Sequence, residues 1–251
     1  MTTAPARLTA EEVTLHYGSF VALQAVSFTV PAGQYVVLLG ENGAGKSSLL
    51  RCLAGWTRPT RGTVRIDGRP LEEDERAVRS RLKFVPDTPA FYPDLTAREH
   101  VDLVARAHRL APTYRETADG LLRAFGLGAQ SRAYPAAFSR GMQYKLALVL
   151  ALVTDPALLL LDEPFAPLDP AAQLHLAAHL RRLAAAGTTV VASTHLLPPE
   201  VPPDRLLVLE GGRLVRDLPV AEASAGRGDP AHLPRHVLLE VLRRRTADPD
   251  A

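Results

Sequence analysis

A single cysteine among 251 residues rules out an intramolecular disulfide framework. That residue, Cys52, occupies an apolar position with no Cys or His at ligand spacing, which points to core packing. No uninterrupted apolar run reaches the ~18 residues that a membrane span needs. Met1 to Arg7 has neither the charged start nor the long apolar stretch of a signal peptide. The expected location is cytoplasmic, or docked on a membrane through another protein. A net charge of +2 is too small to argue for nucleic acid by itself, and no nucleic-acid partner is expected. What the chain does have is apolar content, 47% of its residues. At this length that buries a large core, as one elaborate domain or a domain with an inserted subdomain.

The chain is organised around Gly40-Glu41-Asn42-Gly43-Ala44-Gly45-Lys46-Ser47-Ser48. This stretch follows the apolar run Tyr35 to Leu39 and leads into Leu49, Leu50, Cys52 and Leu53, so a strand precedes it and a helix follows. Glycines let successive backbone N–H groups curl round an anion, and a helix start adds positive character to the same place. Phosphate is the natural occupant, against the plainer alternative of a glycine-rich turn capping a helix. In that setting Lys46 reaches the β- and γ-phosphates, Ser47 places its hydroxyl on Mg²⁺, and Ser48 donates to a phosphate oxygen.

Around this stretch the patterns are those of an α/β chain. Leu8 to Tyr17 and Val21 to Val30 read as strands separated by a Gly18-Ser19 turn. Tyr17 is either a core aromatic of that sheet or, placed ahead of a nucleotide loop, a surface on which adenine stacks. Thr63 to Ile66 is a short strand closed by Asp67-Gly68, Glu72 to Arg81 a solvated helix, and Leu82 to Val85 another strand. From Asp87 to Gln143 the pattern is largely helical. Thr96 and Glu99 form a capping box, a second helix runs near Thr113 to Phe125, and a third starts at Ser139. This block, about residues 88–145, looks like an inserted helical subdomain. Leu158 to Leu161 reads as a buried parallel strand. A helix from Pro170 to Ala185, a strand Thr188 to Ala192, and strands Arg205 to Leu209 and Arg213 to Val215 around Gly211-Gly212 complete the sheet. Residues 1–222 form the main domain. In the tail, 223–251, His236 to Arg245 reads as a short basic amphipathic helix that either docks on the domain or touches a membrane surface.

Asp162 and Glu163 end the leucine strand, where open parallel sheets present their ligands. An Asp there holds Mg²⁺, and a neighbouring Glu accepts a proton from an attacking water. Two carboxylates in that place are expected to repel each other without a cation between them. His195 follows the strand Thr188 to Ala192 and is either a structural histidine or a γ-phosphate contact.

Taken together these residues resemble the ATP-binding subunit of an ABC transporter, from about Leu8 to Val220. The resemblance implies a P-loop NTPase fold of the ABC ATPase type: a RecA-like parallel-sheet core, an antiparallel β subdomain and an inserted helical subdomain. It matches Tyr17 to the adenine-stacking aromatic, Gly40 to Ser48 to the Walker A loop, Leu158 to Asp162 to the Walker B strand, and Glu163 to the catalytic base. Pro167-Leu168-Asp169 resembles the D-loop, and His195 matches the switch histidine. The signature motif reads Phe138-Ser139-Arg140-Gly141-Met142 in place of Leu-Ser-Gly-Gly-Gln. Ser139 and Gly141 are kept, and the Ser-x-Gly-Met form resembles ABC-2-type exporters. Asp87 replaces the Q-loop glutamine; as an acceptor it can serve Mg²⁺ or water but cannot donate as an amide does. Phe91 to His100 also resembles the exporter class.

The resemblance further implies that ATP lies between Lys46 of one subunit and Ser139 of another, in a head-to-tail homodimer or a heterodimer with a related subunit. Hydrolysis then loosens the pair and drives integral-membrane permease subunits, with this chain peripheral on the inner face of the cell membrane. The alternative is a soluble ABC-type ATPase acting on ribosomes or DNA, against which stand the single nucleotide-binding domain, the lack of a long coiled-coil insertion and the modest charge. A phosphate-loop kinase or GTPase needs an acceptor site or a guanine-reading motif, and leaves Ser139 and His195 unexplained.

Overall fold

A computed structural model of the chain describes residues 6–73, 80–195 and 201–220. The helix expected over Glu72 to Arg81 falls mostly on residues 74–79, and the basic helix His236 to Arg245 lies in the tail; both are outside the described residues.

Alternating apolar residues make the first hairpin, β1 (Ala6–Tyr17) and β2 (Phe20–Pro31), turned where Gly18 takes a φ of +60°. Leu8, Ala10, Val13 and Leu15 are buried, and the step from Ala10 to Val13 is a register shift at which Glu12 has positive φ. With β4 (Arg61–Ile66) and β5 (Arg69–Pro70) this hairpin forms an antiparallel sheet of order β2-β1-β4-β5.

The second sheet comprises β3 (Tyr35–Leu39), β6 (Leu82–Val85), β7 (Leu158–Leu161), β8 (Thr189–Thr194), β9 (Arg205–Glu210) and β10 (Arg213–Pro219), in the order β10-β9-β3-β8-β7-β6. All neighbours are parallel except β10, which returns antiparallel at the edge. Two of these strands run further than the sequence patterns suggest. β8 continues to Thr194 because Ser193 and Thr194 pair with Leu38 and Leu39, and β10 continues to Pro219 along β9.

The parallel sheet is a wall between two cores. Val36, Leu38, Leu158, Leu160, Val191, Leu207 and Leu209 face the antiparallel sheet and helix α1 (Lys46–Leu53). Tyr35, Val37, Leu39, Leu159, Leu161, Val190, Leu206 and Val208 face the other four helices. Period-2 side chains make both faces apolar, and each fully buried leucine contributes about 2 kcal/mol. The helices are α2 (Ala97–Ala107), α3 (Tyr114–Ala124), α4 (Arg140–Leu152) and α5 (Pro170–Ala185). Thr96 and Glu99 make the reciprocal capping box at the start of α2. His100, buried one turn on, accepts the Tyr92 N–H at 3.0 Å and donates from Nδ1 to the Thr96 carbonyl at 2.9 Å, which fixes the chain before α2. Ala97, Val101, Ala118, Leu122 and Phe125 join the same core as α4 and α5.

Candidate active site

β3 is buried along its whole length and delivers the chain to Gly40. From there the loop is pressed between the two sheets. A Cβ on Gly40 would lie 2.5 Å from the Leu209 carbonyl oxygen, and one on Gly45 would lie 2.7 Å from that of Ala22. Gly45 also takes a φ of +101° as it caps α1, so no other residue fits either the space or the backbone. The turn between β9 and β10 backs the loop directly, with the Gly212 N–H donating to the Ala44 carbonyl at 3.0 Å.

Lys46, the first residue of α1, is buried to 6% exposure. Its ammonium donates to the carbonyls of Gly40 at 2.8 Å and Glu41 at 3.1 Å, and pairs with Glu163 Oε1 at 3.3 Å. His195 holds the other Glu163 oxygen through Nδ1 at 3.1 Å. The Glu163 carboxylate thus sits between an ammonium and an imidazole. Glu163 itself takes a φ of +45°, a strained conformation for a residue with a Cβ.

Asp162 lies one residue back, wholly buried. Its Oδ1 accepts from Ser47 Oγ at 3.0 Å and from Ser193 Oγ at 2.7 Å. Its Oδ2 is buried and has no hydrogen-bond partner among the described residues. Burial pushes this carboxyl above the usual carboxylate range; the two hydroxyls pull it down, while the charges of Asp87 and Glu163 push it up further. The repulsion expected between Asp162 and Glu163 is therefore moderated within the chain, by Lys46 beside Glu163 and by hydroxyls on Asp162. The orphaned oxygen still suits a hard cation. Ser47, Asp162 and half-buried Asp87 offer only oxygen donors, the set that Mg²⁺ prefers.

The remaining expected site residues are spread over several elements. Glu41, Asn42 and Gly43 are exposed on the loop, Ala44 is buried, and Ser48 is half-buried on α1. Tyr17 ends β1 with 47% exposure, so it is not a core aromatic. Ser139 is exposed and caps α4 by accepting the Met142 N–H at 3.3 Å. Gly141 packs so closely on the Pro167 carbonyl that a Cβ would lie 2.7 Å from it. Asp169 caps α5, accepting the Ala172 N–H at 2.9 Å. Sequence reasoning did not single out Ser193 or Tyr144, whose hydroxyl donates to the Asp162 carbonyl at 3.3 Å. The signal for Ser193 was a hydroxyl in an otherwise apolar buried strand, since such a group needs a partner.

Comparison with known proteins agrees with this geometry. The family described as ABC transporter matches residues 23–166, more than half of the chain. The chain belongs to that family. Among its relatives, the ABC-type transporter ATP-binding protein EcsA of Bacillus subtilis (strain 168) is 36% identical over 76% of this chain and 77% of its own length. The Nod factor export ATP-binding protein I of Sinorhizobium fredii is 38% identical over 81% of this chain and 60% of its own length. A sulfate/thiosulfate import ATP-binding protein, CysA of Mycobacterium bovis, is 40% identical over 81% of this chain and 58% of its own length. Of solved structures, an ATP-binding subunit of an ABC transporter superposes with a TM-score of 0.84 at 32% identity, covering 94% of this chain and 99% of that one. The dimeric post-hydrolysis state of the cassette MJ0796, bound to ADP and Pi, superposes with a TM-score of 0.76 at 28% identity, covering 84% of this chain and 98% of that one. As an ABC transporter ATP-binding subunit, the chain is an ATPase with the P-loop fold of its family.

Proposed function

We propose that this chain powers export through separate membrane-spanning subunits, from the inner face of the cell membrane, by closing on a second ATP-binding subunit around ATP. The observation that carries the reading is the cluster at the mouth of the loop, where Lys46, Glu163 and His195 meet within 3.3 Å beside the buried Asp162. Lys46 and the loop N–H groups hold the β- and γ-phosphates, with Ser48 on a phosphate oxygen and Tyr17 offering its exposed ring to adenine. Ser47, Asp162 and Asp87 would hold Mg²⁺, which when bound neutralises charge on the phosphates. Glu163 takes the proton of the attacking water, and His195 contacts the γ-phosphate while orienting the Glu163 carboxylate.

Ser139 and Gly141 open α4, and neither shares a hydrogen bond with residues 40–48 among the described residues. Their hydroxyl and N–H groups complete the site of a second subunit, next to its Asp169 turn. The dimeric MJ0796 structure supports such a pairing, and the Ser-x-Gly-Met form together with the Nod factor relative supports export. No helix among the described residues is long and apolar enough to cross a membrane, which fits separate permease subunits. The block 88–145 is the part that meets them.

The test is Glu163→Gln, tagged in its native cell and recovered in mild detergent with ATP and Mg²⁺. A stable ATP-loaded dimer on a sizing column, carrying a multi-span protein, is expected. A monomer under those conditions overturns the dimer mechanism, and recovery with ribosomes or DNA in place of a membrane protein overturns the transport assignment.

A further inference from the structure

The Asp162-Glu163 turn holds two acidic side chains with different tasks on a strained backbone, so something must define both at once. The peptide between them is held from several sides. The Asp162 N–H donates to the Val85 carbonyl at 2.9 Å, and the Asp162 carbonyl accepts from Tyr144 on α4. The Glu163 N–H donates to Ser193 Oγ at 2.9 Å. The same Ser193 hydroxyl donates its proton to Asp162 Oδ1 at 2.7 Å. Ser193 is wholly buried on β8, opposite Leu38 of β3 and two residues before His195.

We propose that Ser193 is a positioning residue for hydrolysis, which sets the Asp162 carboxylate and the Glu163 peptide as one unit. Its hydroxyl uses both of its roles, accepting from the peptide of Glu163 and donating to the carboxylate of Asp162. An alanine here does neither. The Asp162 carboxylate is then left with Ser47 as its hydroxyl donor and turns more freely, while the positive φ at Glu163 loses the N–H bond that holds it. Displacement of a base by a fraction of an ångström lowers turnover steeply without touching the groups that hold nucleotide. Tyr144 and the Val85 carbonyl remain, so the turn still forms. The inference rests on Glu163 acting as the base.

The experiment compares wild type, Ser193→Ala, Ser193→Cys and Glu163→Gln in the full chain. Turnover and KM for ATP are measured together with binding of a fluorescent ATP analogue across a Mg²⁺ titration, and melting temperature reports folding. For Ser193→Ala, kcat is expected to fall about 10-fold or more. KM at saturating Mg²⁺ stays within about twofold, and the Mg²⁺ needed for half-maximal analogue binding rises several-fold. Ser193→Cys, with similar volume and a weaker donor, lies between the two. It also decides the matter if the alanine variant melts below the assay temperature, because wild-type turnover and Mg²⁺ requirement in the cysteine variant overturn the proposal. Wild-type values in Ser193→Ala with an inactive Glu163→Gln overturn the role of Ser193 alone. Full turnover in Glu163→Gln overturns the base assignment and the role of Ser193 with it.

Discussion

At the scale of single residues, the site combines charges that the chain balances itself with one that it does not. Lys46 and His195 each take an oxygen of Glu163, but Asp162 keeps a buried oxygen without a partner among the described residues. Its folded pKa is raised by burial above the unfolded value, so the folded chain binds that proton more tightly than the unfolded chain does. Stability therefore falls as pH rises through the interval between the two pKa values. Asp162→Asn keeps an acceptor for Ser47 and Ser193 and removes the charge. Its melting temperature at pH 7.5 is expected to exceed wild type by about 2–4 °C, with the gap closing as pH falls and ATP turnover lost. A variant that melts lower than wild type at pH 7.5 contradicts this account. Lys46, Asp162, Glu163 and His195 were legible as positions because local patterns mark strand ends and the glycine loop. Their partners were not: Ser193 lies on β8 and Tyr144 on α4, elements far from the Asp162 turn in sequence that reach it only in the folded chain.

At the scale of elements, the capped helices and leucine strand read directly from the sequence, because capping boxes and apolar runs are local signals. The fit of one helix against another is not local, and α5 shows the difference. His179 on α5 packs its ring edge-on against Phe125, which ends α3, with ring centroids 5.4 Å apart. Its Nε2 is buried without a partner among the described residues, and Arg182 lies 3.4 Å from Nδ1. Burial holds this imidazole below its ordinary pKa, with the charges of Arg182 and His175 acting the same way. The unfolded chain takes up a proton near the ordinary value of ~6.5 while the folded chain resists it, so stability is lost as pH falls through that value. His179→Leu keeps the apolar contact with Phe125 and removes the proton site. Melting curves are expected to show a gain over wild type of a few degrees at pH 5.5 and a smaller one at pH 8. An equal shift at both pH values contradicts the assignment.

At the scale of the whole molecule, two cores share one wall of parallel strands, and Cys52 reports on the core between the sheets. Its thiol is wholly buried and pushed up to about 11 by burial, so it stays protonated and out of reach of reagents. A thiol-reactive dye is expected to label the native chain at least 100-fold more slowly than the chain in denaturant. Fast labelling of the native protein contradicts the packing of α1. The strand order across the wall was not legible locally, because among the described residues β3 pairs with β8 and β9, which lie far along the chain. That arrangement bears on how the protein is made. As the chain leaves the ribosome, β3 and its glycine loop emerge well before the strands that flank β3 and the Gly212 turn behind the loop. Until they arrive, Tyr35 to Leu39 is an apolar strand without its neighbours and open to misassociation, and the glycine loop gains its backing only once β9 and the Gly212 turn have been made.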